Sequence, residues 1–364
     1  MASFVDIVEE MRLAGIGAGV PYDLDGVRRA KIRQVEAVTG RPLIVYASDM
    51  TYPSKMGSDQ LLGLINWDDR DSFAEALQGV TGDTLDVLLQ SPGGLAVATE
   101  AIVKVLRSRF ADVRFIVPFM AKSAATMLAL SGNQILMGVP AELGPIDPQM
   151  PTGRGGYAPA DAILEQFRLA KRELASDPTA IPAWLPILQQ YGPSLLVECQ
   201  NQLDLSEQLV STWLANYMFS GERDAGDHAA EVAKKLNEHD RWKSHGRRVD
   251  IDWLKGPEAR IKVMDLASDP ILEDAVMQLH LAIRATFFIS PAAFKLVENG
   301  QGNGIIGNAR VFNVQLAPAP SPQPDQLPAA PAPGSGGALP PPQPTPSGQK
   351  GMPQNRQQRR SRKR

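Results

Sequence analysis

Two short segments carry residue types that can do acyl-transfer chemistry. The first, Leu88-Leu89-Gln90-Ser91-Pro92-Gly93-Gly94-Leu95, closes a β-rich run with a Pro-Gly-Gly turn. The second, Lys122-Ser123-Ala124-Ala125-Thr126, follows one strand-and-helix unit later and places a serine where a helix should begin. Backbone N–H groups at a helix start point outward and carry partial positive charge. A glycine pair lets such amides approach a ligand closely. Together the segments offer a serine nucleophile and two donors for a tetrahedral oxyanion. A serine at a helix start is by itself most often an N-cap. Two features favour chemistry here. Ala121, Ala124 and Ala125 leave open space around Ser123, and the two turns fall on the same edge of a parallel sheet, where ligands bind. Ser123 has no G-x-S-x-G around it, so the α/β-hydrolase elbow is not indicated. Gly93-Gly94 is not the G-x-G-x-x-G of a dinucleotide site.

The elements that must hold these turns follow from the apolar pattern. Residues 2–40 read as two helices broken between Gly15 and Pro21, with Arg28, Arg29, Lys31 and Arg33 expected on a solvated face. Residues 41–47 read as a first core strand, 51–68 as a polar loop with a short helix, and 69–77 as a helix with an acidic first turn. Strands are expected at 85–89, 113–118 and 134–137, with helices at 96–107 and 124–130 between them. That alternation predicts right-handed crossovers and a mainly parallel sheet flanked by helices. A Gly/Pro-rich loop spans 151–160. Beyond it the chain reads as mainly helical, at 160–176, 194–218, 225–237, 250–266 and 270–288. A loop is expected at 238–250, and 287–299 should return to the core. Cys199 is expected to be buried in a helix, and Met127 and Met137 in the core. Trp184, Trp213, Trp242 and Trp253 are expected to pack rather than to stack on a ligand.

Composition removes other classes. The chain has 364 residues, 43% of them hydrophobic, enough for a large core. A net charge of −3 gives no general case for nucleic-acid binding. One cysteine excludes an intramolecular disulfide and fits a cytoplasmic location. The four histidines show no metal-pair spacing. No signal-peptide pattern and no transmembrane run occurs. From Ala317 the composition shifts: residues 317–364 hold 13 of the 30 prolines, which predicts a disordered tail. The tail has seven basic residues and one acid, so it is +6 and the remainder −9. A basic tail on an acidic body fits a tether to an anionic partner, or a solubilising tail.

Three runs in this order resemble the serine dehydrogenase proteinase family: Leu89-Gln90-Ser91-Pro92-Gly93-Gly94, Ala121-Lys122-Ser123-Ala124-Ala125-Thr126-Met127, and Leu143-Gly144-Pro145-Ile146-Asp147-Pro148-Gln149. That family belongs with signal peptide peptidase A and the Clp proteolytic subunit among serine peptidases of the crotonase-like fold. Lys295-Leu296-Val297-Glu298-Asn299-Gly300 resembles its C-terminal motif. The resemblance covers roughly residues 40–310. It implies an α/β, crotonase/Clp-like fold over 41–316, preceded by a helical segment 1–40 and followed by the tail 317–364. It implies Ser123 as nucleophile and the N–H groups of Gly94 and Ala124 as oxyanion donors. Gly93-Gly94-Leu95 would align an extended peptide substrate. No cofactor or metal is implied, and a homo-oligomer is.

The proton acceptor is less plain. Clp-type enzymes carry a histidine where this chain has Gly144 to Gln149, and an aspartate in a later loop, where it has His239, Asp240 and His245. One arrangement exchanges the roles, with His245 or His239 as base and Asp147 or Asp240 orienting it. The other is a serine–lysine dyad with Lys171 or Lys122, although Lys122 adjoins Ser123 and should point elsewhere. The simpler roles are a loop histidine satisfied by backbone for His245 and a turn before Pro148 for Asp147. Two other classes share the motifs: a catalytically silent peptide-binding scaffold of the same fold, and an acyl-CoA enzyme of the crotonase type.

Overall fold

The computed structural model describes residues 2–50, 60–138, 140–152 and 156–308. Expectations for 51–59 and for the tail lie outside the described residues. Helix α1 (Phe4–Ala18) opens on a capping box between Ser3 and Asp6 and stops at left-handed Gly19. Helix α2 (Leu24–Thr39) is capped by Asp23 and stopped by Gly40 in the same way. Then follow β1 (Leu43–Ser48), α3 (Trp67–Ala76), β2 (Thr84–Gln90), α4 (Ala96–Arg107), β3 (Asp112–Val117), β4 (Met120–Ala121), α5 (Ala124–Leu130) and β5 (Gln134–Met137). The second half begins with β6 (Glu142–Leu143) and the hairpin β7 (Gln149–Pro151) and β8 (Tyr157–Pro159). It continues with α6 (Ala160–Ser176), α7 (Ile181–Leu188), α8 (Leu195–Trp213), α9 (Ala225–Asn237), α10 (His239–Trp242) and α11 (Ile251–Lys255). The last elements are β9 (Val263–Asp265), α12 (Pro270–Ile289), β10 (Ala293–Asn299) and β11 (Gly304–Asn308).

The main sheet has seven strands in the order β11-β10-β1-β2-β3-β5-β9. β1, β2, β3, β5 and β9 run parallel, while β10 and β11 form an antiparallel edge. Every residue of β1 is buried, as a strand covered on both faces requires. On one face Phe73, Ile102, Leu128, Val210 and Val232 pack against Val87 and Phe115. On the other, Ile32, Val276 and Leu279 pack against Val45, Leu88 and Ile116. This is a mixed α/β architecture with a mostly parallel sheet between helices.

Four local expectations are corrected. The basic run on α2 is a solvated face only in part: Arg33 is exposed and Arg29 partly so, but the other two are buried. Arg28 is fully buried against Glu298, Asp25 and Thr286. Lys31 bonds Gln278 at 2.9 Å and pairs with Glu10 at 3.0 Å. Apart from Asp25, their partners lie on remote elements, so local patterning could not show them. The 151–160 loop contains half of a small hairpin, and the 238–250 loop begins with α10. Residues 250–266 are not one helix but α11 and then β9, whose three residues are too few for a periodic signal. As expected, 287–299 returns to the core: it is the end of α12 and then β10, whose Lys295–Asn299 pair with β1.

Candidate active site

Ser123 lies between β4 and α5 with φ 52° and ψ −122°. An L side chain reaches such a conformation at a cost of about 1–3 kcal/mol, and a fold keeps it only where the surroundings enforce it. The surroundings are the glycine turn. Ser91 N–H donates to Met120 O at 3.1 Å, and Lys122 N–H donates to Ser91 O at 3.0 Å, so the two turns are laced together. Gly93 has φ 103°, and a Cβ there would stand 2.6 Å from Lys122 O and 2.7 Å from Ser123 Cβ. A Cβ on Gly94 would stand 2.3 Å from Ile65 O. Only glycine permits either approach.

Ile65 brackets the turn from its other side. Its N–H donates to Gly93 O at 2.7 Å, and its carbonyl accepts from Leu95 N–H at 2.9 Å. Among the described residues the Gly94 N–H donates to no backbone carbonyl. Ala124 is the first residue of α5, so its N–H has no acceptor within the helix. Leu95 caps α4 and exposes its side chain into the cleft.

Asp147 is buried on the loop after β6, and two imidazoles meet its carboxylate. His245 Nδ1 lies 2.7 Å from Oδ1, and His239 Nδ1 lies 3.1 Å from Oδ2. A carboxylate only accepts, so Nδ1 of His245 carries the proton and Nε2 is left as the acceptor. Gln149 Nε2 also donates to Oδ2, at 3.1 Å. The two loops are tied at Leu143 and Val249, which exchange backbone bonds of 3.0 and 3.1 Å.

The other ionisable candidates lie elsewhere. Lys122 turns away from Ser123, donating to Leu143 O at 3.0 Å and pairing with Glu142 at 2.6 Å. Lys171 is exposed on α6. Asp240 faces solvent and pairs with Lys243. Among the described residues no cluster of three or more His, Cys, Asp or Glu suits a metal ion. No described helix is long and apolar enough to cross a membrane.

Ser123 and His245 line one cleft of about 740 Å³, together with Gly94, Leu95 and Ala124. Its walls are largely apolar, from Leu64, Ile65, Met127, Ile146 and Met150. Gln202 and Ser206 of α8 also reach it. The sequence held no signal for Ile65 or for α8 at this place, because both arrive through tertiary packing.

Residues 37–186 match the family model of ClpP-like SDH-type serine proteinases. This is the family that the three sequence runs resemble. The matched stretch contains Gly93, Gly94, Ser123 and Asp147 and ends before His239 and His245. Two uncharacterized proteins of Methanocaldococcus jannaschii are similar. One is 25% identical over 225 residues, 59% of this chain and 69% of that protein. The other is 31% identical over 151 residues, 41% of this chain and 49% of that protein, about half its length. Among solved structures, a serine-to-alanine variant of a membrane-bound stomatin-specific protease aligns with a TM-score of 0.33 and 16% identity, over 55% of this chain and 74% of that one. A lysine-to-alanine variant of that protease, in complex with a substrate peptide, aligns with a TM-score of 0.34 and 15% identity, over 68% and 84%.

Proposed function

We propose that the chain is a serine peptidase that hydrolyses extended peptide segments through an acyl-enzyme on Ser123. His245 Nε2 takes the proton of Ser123 Oγ as Oγ bonds to the scissile carbonyl carbon. The carbonyl oxygen becomes an oxyanion and accepts from the N–H groups of Gly94 and Ala124. His245 then gives its proton to the departing amine, and the C–N bond breaks. Water repeats the sequence and releases the acid. Asp147 holds His245 in the tautomer this needs. Removing one oxyanion donor typically costs about 3–4 kcal/mol of transition-state stabilisation, so the glycine turn matters as much as the base.

The observation that carries the reading is the contact of His245 with buried Asp147 beside the cleft that Ser123 lines. The strained Ser123 backbone and the serine proteinase family of residues 37–186 agree with it. A fluorophosphonate probe tests it on the full chain. Covalent labelling that disappears in Ser123→Ala is expected; no labelling of the folded wild type would favour a silent peptide-binding scaffold.

A further inference from the structure

Behind the glycine turn lies a buried polar chain that acyl transfer through Ser123 does not use. Lys295 on β10 donates to both oxygens of Asp69, at 2.9 and 3.0 Å, and to Leu64 O at 2.8 Å. Tyr46 on β1 donates to Asp69 Oδ2 at 2.8 Å, and the Asn66 N–H donates to the same oxygen at 2.8 Å. Lys295 is 6% exposed, Asp69 2% and Tyr46 0%. Burial first, and then the charge of Asp69, hold the Tyr46 phenol neutral well above the ordinary tyrosine pKa, so it remains a donor. The Ser91 hydroxyl accepts from Gly93 N–H at 3.2 Å.

The glycine turn therefore leads back to the Asp69 carboxylate. Lys295 fixes Leu64 O, and the next residue, Ile65, bonds Gly93 O and Leu95 N–H on either side of Gly94. A buried ion pair is a poor way to gain stability, since an apolar replacement of similar volume is often neutral or better. Its directional bonds specify placement instead.

We propose that Lys295 and Tyr46 are positioning residues: through Asp69 and Leu64 they hold the Gly93-Gly94 turn where the Gly94 N–H meets the oxyanion. This rests on the acyl-transfer reading of Ser123. The test compares Tyr46→Phe and Lys295→Met with wild type in the full chain. Tyr46→Phe keeps the ring that stacks on Phe73, so it carries the test if Lys295→Met fails to fold. Amide exchange at 93–95 should accelerate about tenfold in either variant while β3 keeps its protection. On a peptide substrate kcat should fall about 10- to 100-fold with KM little changed, the effect of a small misplacement of a catalytic group. Unchanged exchange at the turn, or equal acceleration in β3, overturns the inference whatever the activity does. Absence of fluorophosphonate labelling in wild type would instead overturn the peptidase reading, and exchange would still decide whether Lys295 and Tyr46 hold the turn.

Discussion

His245 Nδ1 stands 2.7 Å from Asp147 Oδ1, although 98 positions separate the two residues. The carboxylate comes from the loop after β6 and the imidazole from the loop after α10. Neither loop is regular, yet Val249 and Leu143 pair them at their bases. The pairing converts two irregular segments into one rigid mount. The other oxygen of Asp147 is taken by His239 and Gln149, which fixes the carboxylate plane. His245 itself lines the cleft that Ser123 lines.

His245→Ala should lower the rate of fluorophosphonate labelling of Ser123 by 100-fold or more, the usual contribution of a positioned base. Lys171→Ala and Asp240→Ala should leave that rate within about twofold, since surface substitutions away from a site perturb little. A large loss in Lys171→Ala with none in His245→Ala would point to a lysine base and remove the histidine from the scheme.

Gly93→Ala tests the lacing of the two turns. The new Cβ would overlap Lys122 O and Ser123 Cβ, neither of which is the free end of a flexible chain. The left-handed φ adds strain of about 1–3 kcal/mol. Labelling of Ser123 should be lost, and chemical denaturation should show a drop of at least that size. Wild-type labelling in this variant would mean that the turn does not define the serine's position.

What the sequence reveals depends on whether the cause is local. The glycine turn, Ser123 and the strands behind them were legible because periodicity and turn chemistry act over a few residues. Helix α4 begins and ends where its apolar face predicts. The strain at Ser123 was not legible: Lys122 and Ala124 flank it, and no glycine marks a sharp elbow. Arg28 was misread because its neutralising partner, Glu298, lies on β10. Strands β9 and β11 were missed because short edge strands carry no clear alternation. Asp147, His239 and His245 could be named as candidates from the sequence, but their meeting on one carboxylate is a product of packing.

Lys122 is tied to the mount that carries both catalytic candidates. Its Nζ bonds Leu143 O on β6 and lies 3.5 Å from Arg247 O, two residues beyond His245. Lys122→Met keeps the stem and removes the ammonium. Labelling of Ser123 should slow about tenfold, because His245 loses part of its support rather than its chemistry. A serine–lysine dyad predicts a different result. The loss would then match that of Ser123→Ala, and a labelling time course separates the two.

His280 makes stability depend on pH. It lies 5% exposed on α12, its ring 5.8 Å from that of Phe119, and among the described residues Nδ1 has no hydrogen-bond partner. Burial, and then the charge of Arg284, lower its pKa from 6.5 to about 4. Between those values the unfolded chain binds the proton and the folded chain does not. Stability therefore rises with pH through this window and is lost as pH falls from 6.5 towards 4. At 1.36 kcal/mol per pKa unit the full effect is on the order of 3 kcal/mol. His280→Phe removes the titration and keeps an aromatic ring beside Phe119. Urea unfolding at pH 7 and at pH 4.5 should show a smaller acid-induced loss in the variant than in wild type, by about 2 kcal/mol. Equal losses would show that His280 takes up its proton without unfolding, and that other groups set the acid limit of the fold.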